Sequence, residues 1–78
     1  MYHIIFQGGY MYLYQRIKDL REDADLKQSQ IAELLVTSQQ VYSTYEIGKR
    51  QIPVHHLITL AKFYKTSTDY LLGITDKR

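Results

Sequence analysis

The sequence predicts an all-α domain of five helices, and three observations carry that expectation. Apolar residues recur at helical spacing in several short stretches. Residues suited to starting or stopping a helix fall between those stretches, and no strand pattern intervenes. Leu13, Ile17, Leu20 and Ala24, spaced by four, three and four, make one face of a first helix. Asp23-Ala24-Asp25 then loosens the pattern, and Asp tolerates the left-handed conformation that often ends a helix. A second helix is expected from about Gln28 to Leu35, with Ile31, Ala32 and Leu35 on one side. Ser38 suits the N-cap of a third helix, Gln39 to Glu46, and Gly48 stands where a glycine stops it. Pro53 suits the first turn of a fourth, whose inner face is Leu57, Leu60, Ala61 and Tyr64. Ser67 caps a short fifth helix through Leu72, with Asp69 near its positive end and Gly73 closing it.

The totals narrow the function. A chain of 78 residues allows one modest core, because domains of this size bury only about 60% of their unfolded-chain surface. A deep catalytic cleft is not expected, and nothing sets a nucleophile beside a base or builds a Gly-rich phosphate loop. The reading is therefore of a protein that is not an enzyme, with no cofactor. The absence of cysteine excludes disulfides and thiolate metal sites, which fits a cytoplasmic setting. No apolar run approaches the ~20 residues that span a bilayer, so no membrane partner is expected. The net charge of +2 hides an uneven distribution. Acids gather at Asp19, Glu22, Asp23 and Asp25, whereas Lys49 and Arg50 stand well away from them in sequence.

Residues 1 to 10 form a segment apart: they contain no Asp, Glu, Lys or Arg, and they include a Gly-Gly pair. Phe6-Gln7-Gly8 looks like a protease-site remnant, which favours an appended N-terminal tail. The β-forming run Tyr2 to Phe6 leaves a short strand as the alternative. The functional domain is expected to occupy residues 11 to 78.

The second and third helices, joined by a turn of about three residues, meet the needs of a helix-turn-helix. Such a pair crosses closely, so a small residue is required mid-helix, and Ala32 supplies it. Ile31 and Leu35 give the apolar flanks. Tyr42 and Tyr45 share a face and are expected inside, leaving Gln39, Gln40, Ser43 and Thr44 elsewhere. That outer face is short or amide-bearing, and Gln pairs in bidentate fashion with adenine.

Residues 13 to 73 resemble the lambda-repressor-like, Cro/C1-type (XRE) helix-turn-helix family. The stretches LREDADLKQSQIAELL, SQQVYSTYEIGKRQIP and HHLITLAKFYKTSTDYLLG carry the likeness in the family's order. The resemblance implies a DNA-binding domain with the helix-turn-helix at helices two and three. It assigns base contacts to Gln39 and Gln40 first, with Ser43, Thr44 and Val41 after them, Val41 toward a thymine methyl. Phosphate contacts fall to Gln28, Ser38, Lys49 and Arg50, Gln28 also bracing the start of the recognition helix. Arg21 and Glu46 are implied as a structural ion pair. Two positions depart from the family pattern. Val36 replaces the turn Gly or Asn, so the turn is either strained or differently shaped. Lys27 replaces the usual Ser or Thr cap, which predicts a fraying helix start.

The expected function is a transcriptional regulator, a repressor acting on a palindromic operator. Its expected partners are double-stranded DNA, a second copy of itself, and a protein antagonist. Leu34, Leu72 and Ile74, off the inner faces or at the domain's end, are the candidates for a two-fold interface. The alternative is an antitoxin or protein-interaction module within a two-component switch. A third reading, the DNA-reading half of a larger sensor, would require a C-terminal extension. His55 and His56, about 100° apart around a helix, are not expected to share a metal ion.

Overall fold

The computed structural model describes residues 12–78. The tail expected over residues 1–10, with both its readings, lies outside the described residues. Within them the chain forms five helices and no strand: α1 Gln15–Asp23, α2 Gln28–Leu34, α3 Gln39–Glu46, α4 Val54–Phe63 and α5 Thr68–Leu71. The expected boundaries shift slightly. Leu35 is the C-cap of α2 and Leu72 that of α5, and Pro53 is the N-cap of α4 rather than a residue of its first turn. Leu13 and Ala24 do not belong to the inner stripe of α1. Leu13 precedes the helix and is 49% exposed, while Ala24 is an exposed C-cap, so Ile17 and Leu20 carry that face.

All five helices stop by the same device. The residue after each C-cap takes a left-handed backbone: Asp25, Val36, Gly48, Lys65 and Gly73 have φ of 61°, 56°, 80°, 57° and 79°. The two N–H groups that follow each C-cap turn back onto carbonyls of the last turn, as Gly48 to Tyr45 and Lys49 to Thr44 at the end of α3. Orphan carbonyls are thereby satisfied without long loops. Helix starts vary more. The Ser38 hydroxyl accepts from Val41 N–H at 3.1 Å, and that of Ser67 accepts from Tyr70 N–H at 3.0 Å. Lys27 offers no side-chain cap. Gln30 Oε1 instead accepts the Lys27 backbone N–H at 2.8 Å, which closes the start expected to fray.

One core cluster joins the elements. It takes Ile17 and Leu20 from α1, Ile31 and Ala32 from α2, and Tyr42 and Tyr45 from α3. Leu57, Leu60 and Ala61 of α4, Leu71 of α5 and the interhelical residues Leu35 and Ile52 complete it. Each fully buried large side chain contributes roughly 1.5–3 kcal/mol relative to exposure. The α2–α3 pair packs on itself and, through α3, on α1; α5 packs on α1 and α4. The second and third helices therefore stand on a scaffold made by the other three.

Candidate nucleic-acid interface

The inner face of α3 decides what its outer face presents. Tyr42 and Tyr45 are buried, with rings edge to face at 6.3 Å and 86°. At about 100° per residue Gln39, Gln40 and Ser43 fall on the other side. Gln39 and Gln40 are exposed, Ser43 is half-buried, and all three line one shallow concavity with Gln28. Val41, expected to meet a thymine methyl, is half-buried and packs partly against the core cluster. The Thr44 hydroxyl donates to the Val41 carbonyl at 2.5 Å. Its hydrogen is thus committed to the helix, and toward a ligand it presents lone pairs and a methyl group. The only acid on α3 is Glu46, and it lies on the buried side.

Glu46 is a node joining three helices. Its carboxylate is 3% exposed and accepts from Arg21 Nε at 2.6 Å, Arg21 Nη2 at 3.1 Å, the Tyr42 hydroxyl at 2.6 Å and Gln28 Nε2 at 3.0 Å. Arg21 also donates to the Leu26 carbonyl at 2.7 Å. Burial alone would push the Glu46 carboxyl up, but the hydrogen bonds from Arg21, Tyr42 and Gln28 outweigh it and hold the group below its usual value. Burial and the adjacent carboxylate push the Tyr42 hydroxyl far up, so it remains a donor. The Gln28 side chain thus reaches the last residue of α3 while also lining the concavity beside its first turn.

The remaining candidates lie at the two ends of α3. Ser38 is its N-cap, with the hydroxyl oxygen engaged by Val41. Lys49 and Arg50 are exposed, and their backbone N–H groups both meet the Thr44 carbonyl, at 3.0 and 3.2 Å, which fixes where these cations leave the helix. The turn before α3 has the strained form: Val36 holds φ +56° while 91% exposed. His55 and His56 have ring centroids 4.2 Å apart, closer than their helical offset suggested, and His56 also lies 6.0 Å from Tyr45.

Sequence reasoning missed Arg16. Its guanidinium lies 4.1 Å over the Tyr70 ring, donates to the carbonyls of Tyr70 and Thr75, and meets Asp76 Oδ1 at 2.5 Å. It thereby fastens residues after α5 to α1. No sequence signal links positions so far apart. Of the three apolar residues assigned to a two-fold surface, Leu72 packs partly on the core, whereas Leu34 and Ile74 are exposed, Ile74 by 70%.

A short turn between two crossing helices, the second with tyrosines inward and amides outward, defines a helix-turn-helix domain. The chain belongs to that family: the helix-turn-helix model matches residues 17–71, and the five-helix order is the lambda-repressor-like one. Its members are DNA-binding domains rather than enzymes. Two proteins of Bacillus subtilis (strain 168) are similar. One is the uncharacterized HTH-type transcriptional regulator YobD, 37% identical over 62 residues, covering 80% of this chain and 55% of that protein. The other is the HTH-type transcriptional regulator ImmR, 38% identical over 63 residues, covering 81% and 50%. The crystal structure of a transcriptional regulator from Listeria innocua aligns with a TM-score of 0.76 at 29% identity, covering 83% of this chain and 61% of that one. The chain spans about half the length of these curated relatives.

Proposed function

We propose that this domain is the operator-reading part of a cytoplasmic transcriptional regulator, acting as a repressor by occluding a promoter. The observation that carries the reading is the exposed amide face of α3, set opposite two buried tyrosines. Gln39 and Gln40, at the start of the helix, read base edges in the major groove, with Ser43 and Thr44 one turn on. Val41 contributes the small area its packing leaves free. Ser38, Lys49 and Arg50 hold phosphates and set register. Two copies joined through exposed apolar residues, Leu34 and Ile74 among the candidates, place two such helices about 34 Å apart, one turn of a palindromic site. A protein antagonist that competes for either surface would relieve repression.

Selection from a pool of randomised duplexes, followed by titration at several salt concentrations, tests the proposal. A two-fold symmetric consensus bound with a steep salt dependence is expected. Recovery of no consensus, with binding no tighter than to arbitrary DNA, would overturn it.

A further inference from the structure

We infer that Ile47 is a specificity-determining residue: with the methyl group of Thr44 it forms an apolar strip at the far end of the reading face that selects thymine. The inference rests on the DNA-reading proposal and deepens it.

An exposed isoleucine is ordinary in itself, so its position has to carry the argument. Ile47 is the C-cap of α3 with a backbone that is still helical, φ −87° and ψ −2°, and it continues the register of the helix. At about 100° per residue Gln40, Thr44 and Ile47 fall within about 60° of one another, on the side opposite Tyr42. Ile47 is 47% exposed. The end of a helix favours a cation, and the last turn of α3 holds none. Thr44 adds a second methyl group to the same stripe. Its hydroxyl donates to the Val41 carbonyl at 2.5 Å, so the methyl is the branch not tied to the backbone. Lys49 and Arg50 follow directly, their N–H groups meeting the Thr44 carbonyl. The strip thus stands in chain order between the amides of the first turn and the two cations. In the major groove a C5 methyl marks thymine, and an apolar side chain recognises it by contact. Val41, to which the resemblance gives that contact, lies about 100° around the helix from Gln40 and packs partly against the core. The first turn of α3 therefore reads hydrogen-bonding edges, and the last turn reads a methyl group.

The test replaces each thymine of a duplex recovered by selection, in turn, with deoxyuridine, which removes the methyl group and keeps every hydrogen-bonding edge. The intact protein is expected to lose about fourfold in affinity at one or two thymines, the effect of one buried methyl group. Ile47→Ala, and Thr44→Ser with its hydroxyl kept, should each weaken binding to the thymine duplex by a similar factor. Each variant should also become indifferent to the methyl group it no longer meets. The slope of log affinity against log salt should not move, because no charge changes. If Ile47→Ala does not fold, the deoxyuridine scan with Thr44→Ser decides. A duplex whose thymines can all be replaced without loss would overturn the inference. Sensitivity that persists undiminished in Ile47→Ala would overturn it too, as would sensitivity that disappears in Val41→Ala alone. Failure of the unaltered protein to select any sequence would instead bring down the DNA-reading proposal, and this inference with it.

Discussion

Gly48 lies so close to Leu13 that a β-carbon built on the glycine would stand 2.7 Å from the Leu13 nitrogen and 2.8 Å from its Cα. The contact is backbone against backbone, with the Tyr12 N–H donating to the Gly48 carbonyl at 3.3 Å. It seats the entry to α1 on the turn that ends α3. Gly48→Ala meets two costs, a left-handed φ of +80° and an obstacle that cannot rotate away. A loss of roughly 2–4 kcal/mol is expected in urea unfolding. Gly73 has a similar φ of +79° with nothing within 4 Å, so Gly73→Ala should lose only about 1 kcal/mol. Equal losses at the two sites would refute the close-approach argument.

Val36 offers the opposite opportunity. Its side chain is exposed and its backbone is left-handed, where a β-branched residue is disfavoured by about 1–2 kcal/mol. Asparagine tolerates that conformation and carries no glycine-like entropy penalty. Val36→Asn is expected to stabilise the domain by about 1 kcal/mol and raise Tm by roughly 4–8 °C. Calorimetry would check this. An unchanged or lower Tm would mean that the turn is not under strain.

Acid should weaken the domain in two separable stages. Burial, with a smaller contribution from the charge of His55, lowers the His56 pKa below its ordinary 6.5. A group depressed in the folded state takes up protons more readily when unfolded. Its contribution is therefore complete above pH 6.5 and declines as pH falls through that value. Glu46 is also depressed, below 4.5, because its hydrogen bonds to Arg21, Tyr42 and Gln28 overcome its burial. Its contribution is complete above pH 4.5 and is lost only below it. Unfolding free energy measured from pH 8 to pH 3 should show both declines. His56→Gln is expected to remove the upper one and leave the lower.

The parts of the fold governed by local chemistry were legible in the sequence. Ser38 and Ser67 act within three residues, and Gly48 and Gly73 mark their turns by needing no partner. The inward turn of Tyr42 and Tyr45 follows from helical period alone. What the sequence concealed depends on tertiary approach. Leu13 continues the apolar spacing of α1, yet its role is backbone contact with Gly48, and its side chain stays half exposed. Ile52 is buried in a loop, where no period announces it. Gln28 reaches Glu46 because α2 and α3 cross, and Arg16 reaches Asp76 across nearly the whole described chain. Spacing has no vocabulary for such pairs.

Affinity and specificity should separate at the two ends of α3. Lys49 and Arg50 leave a turn fixed by the Thr44 carbonyl, and they are the cations that follow α3. Neutralising one phosphate contact lowers the salt slope by about one and weakens all sequences alike. Lys49→Ala is therefore expected to shift every duplex equally. Gln39 and Gln40 carry no charge and are exposed on the outer face. Removing either amide should cost about 1–3 kcal/mol on the preferred duplex and relax the choice at one base pair, with the salt slope preserved. Measuring affinity for a preferred and a singly altered duplex at two salt concentrations gives both quantities for each variant. If Lys49→Ala altered base preference while Gln39→Ala and Gln40→Ala altered only the salt slope, the reading surface would have to be moved from the helix to the turn behind it.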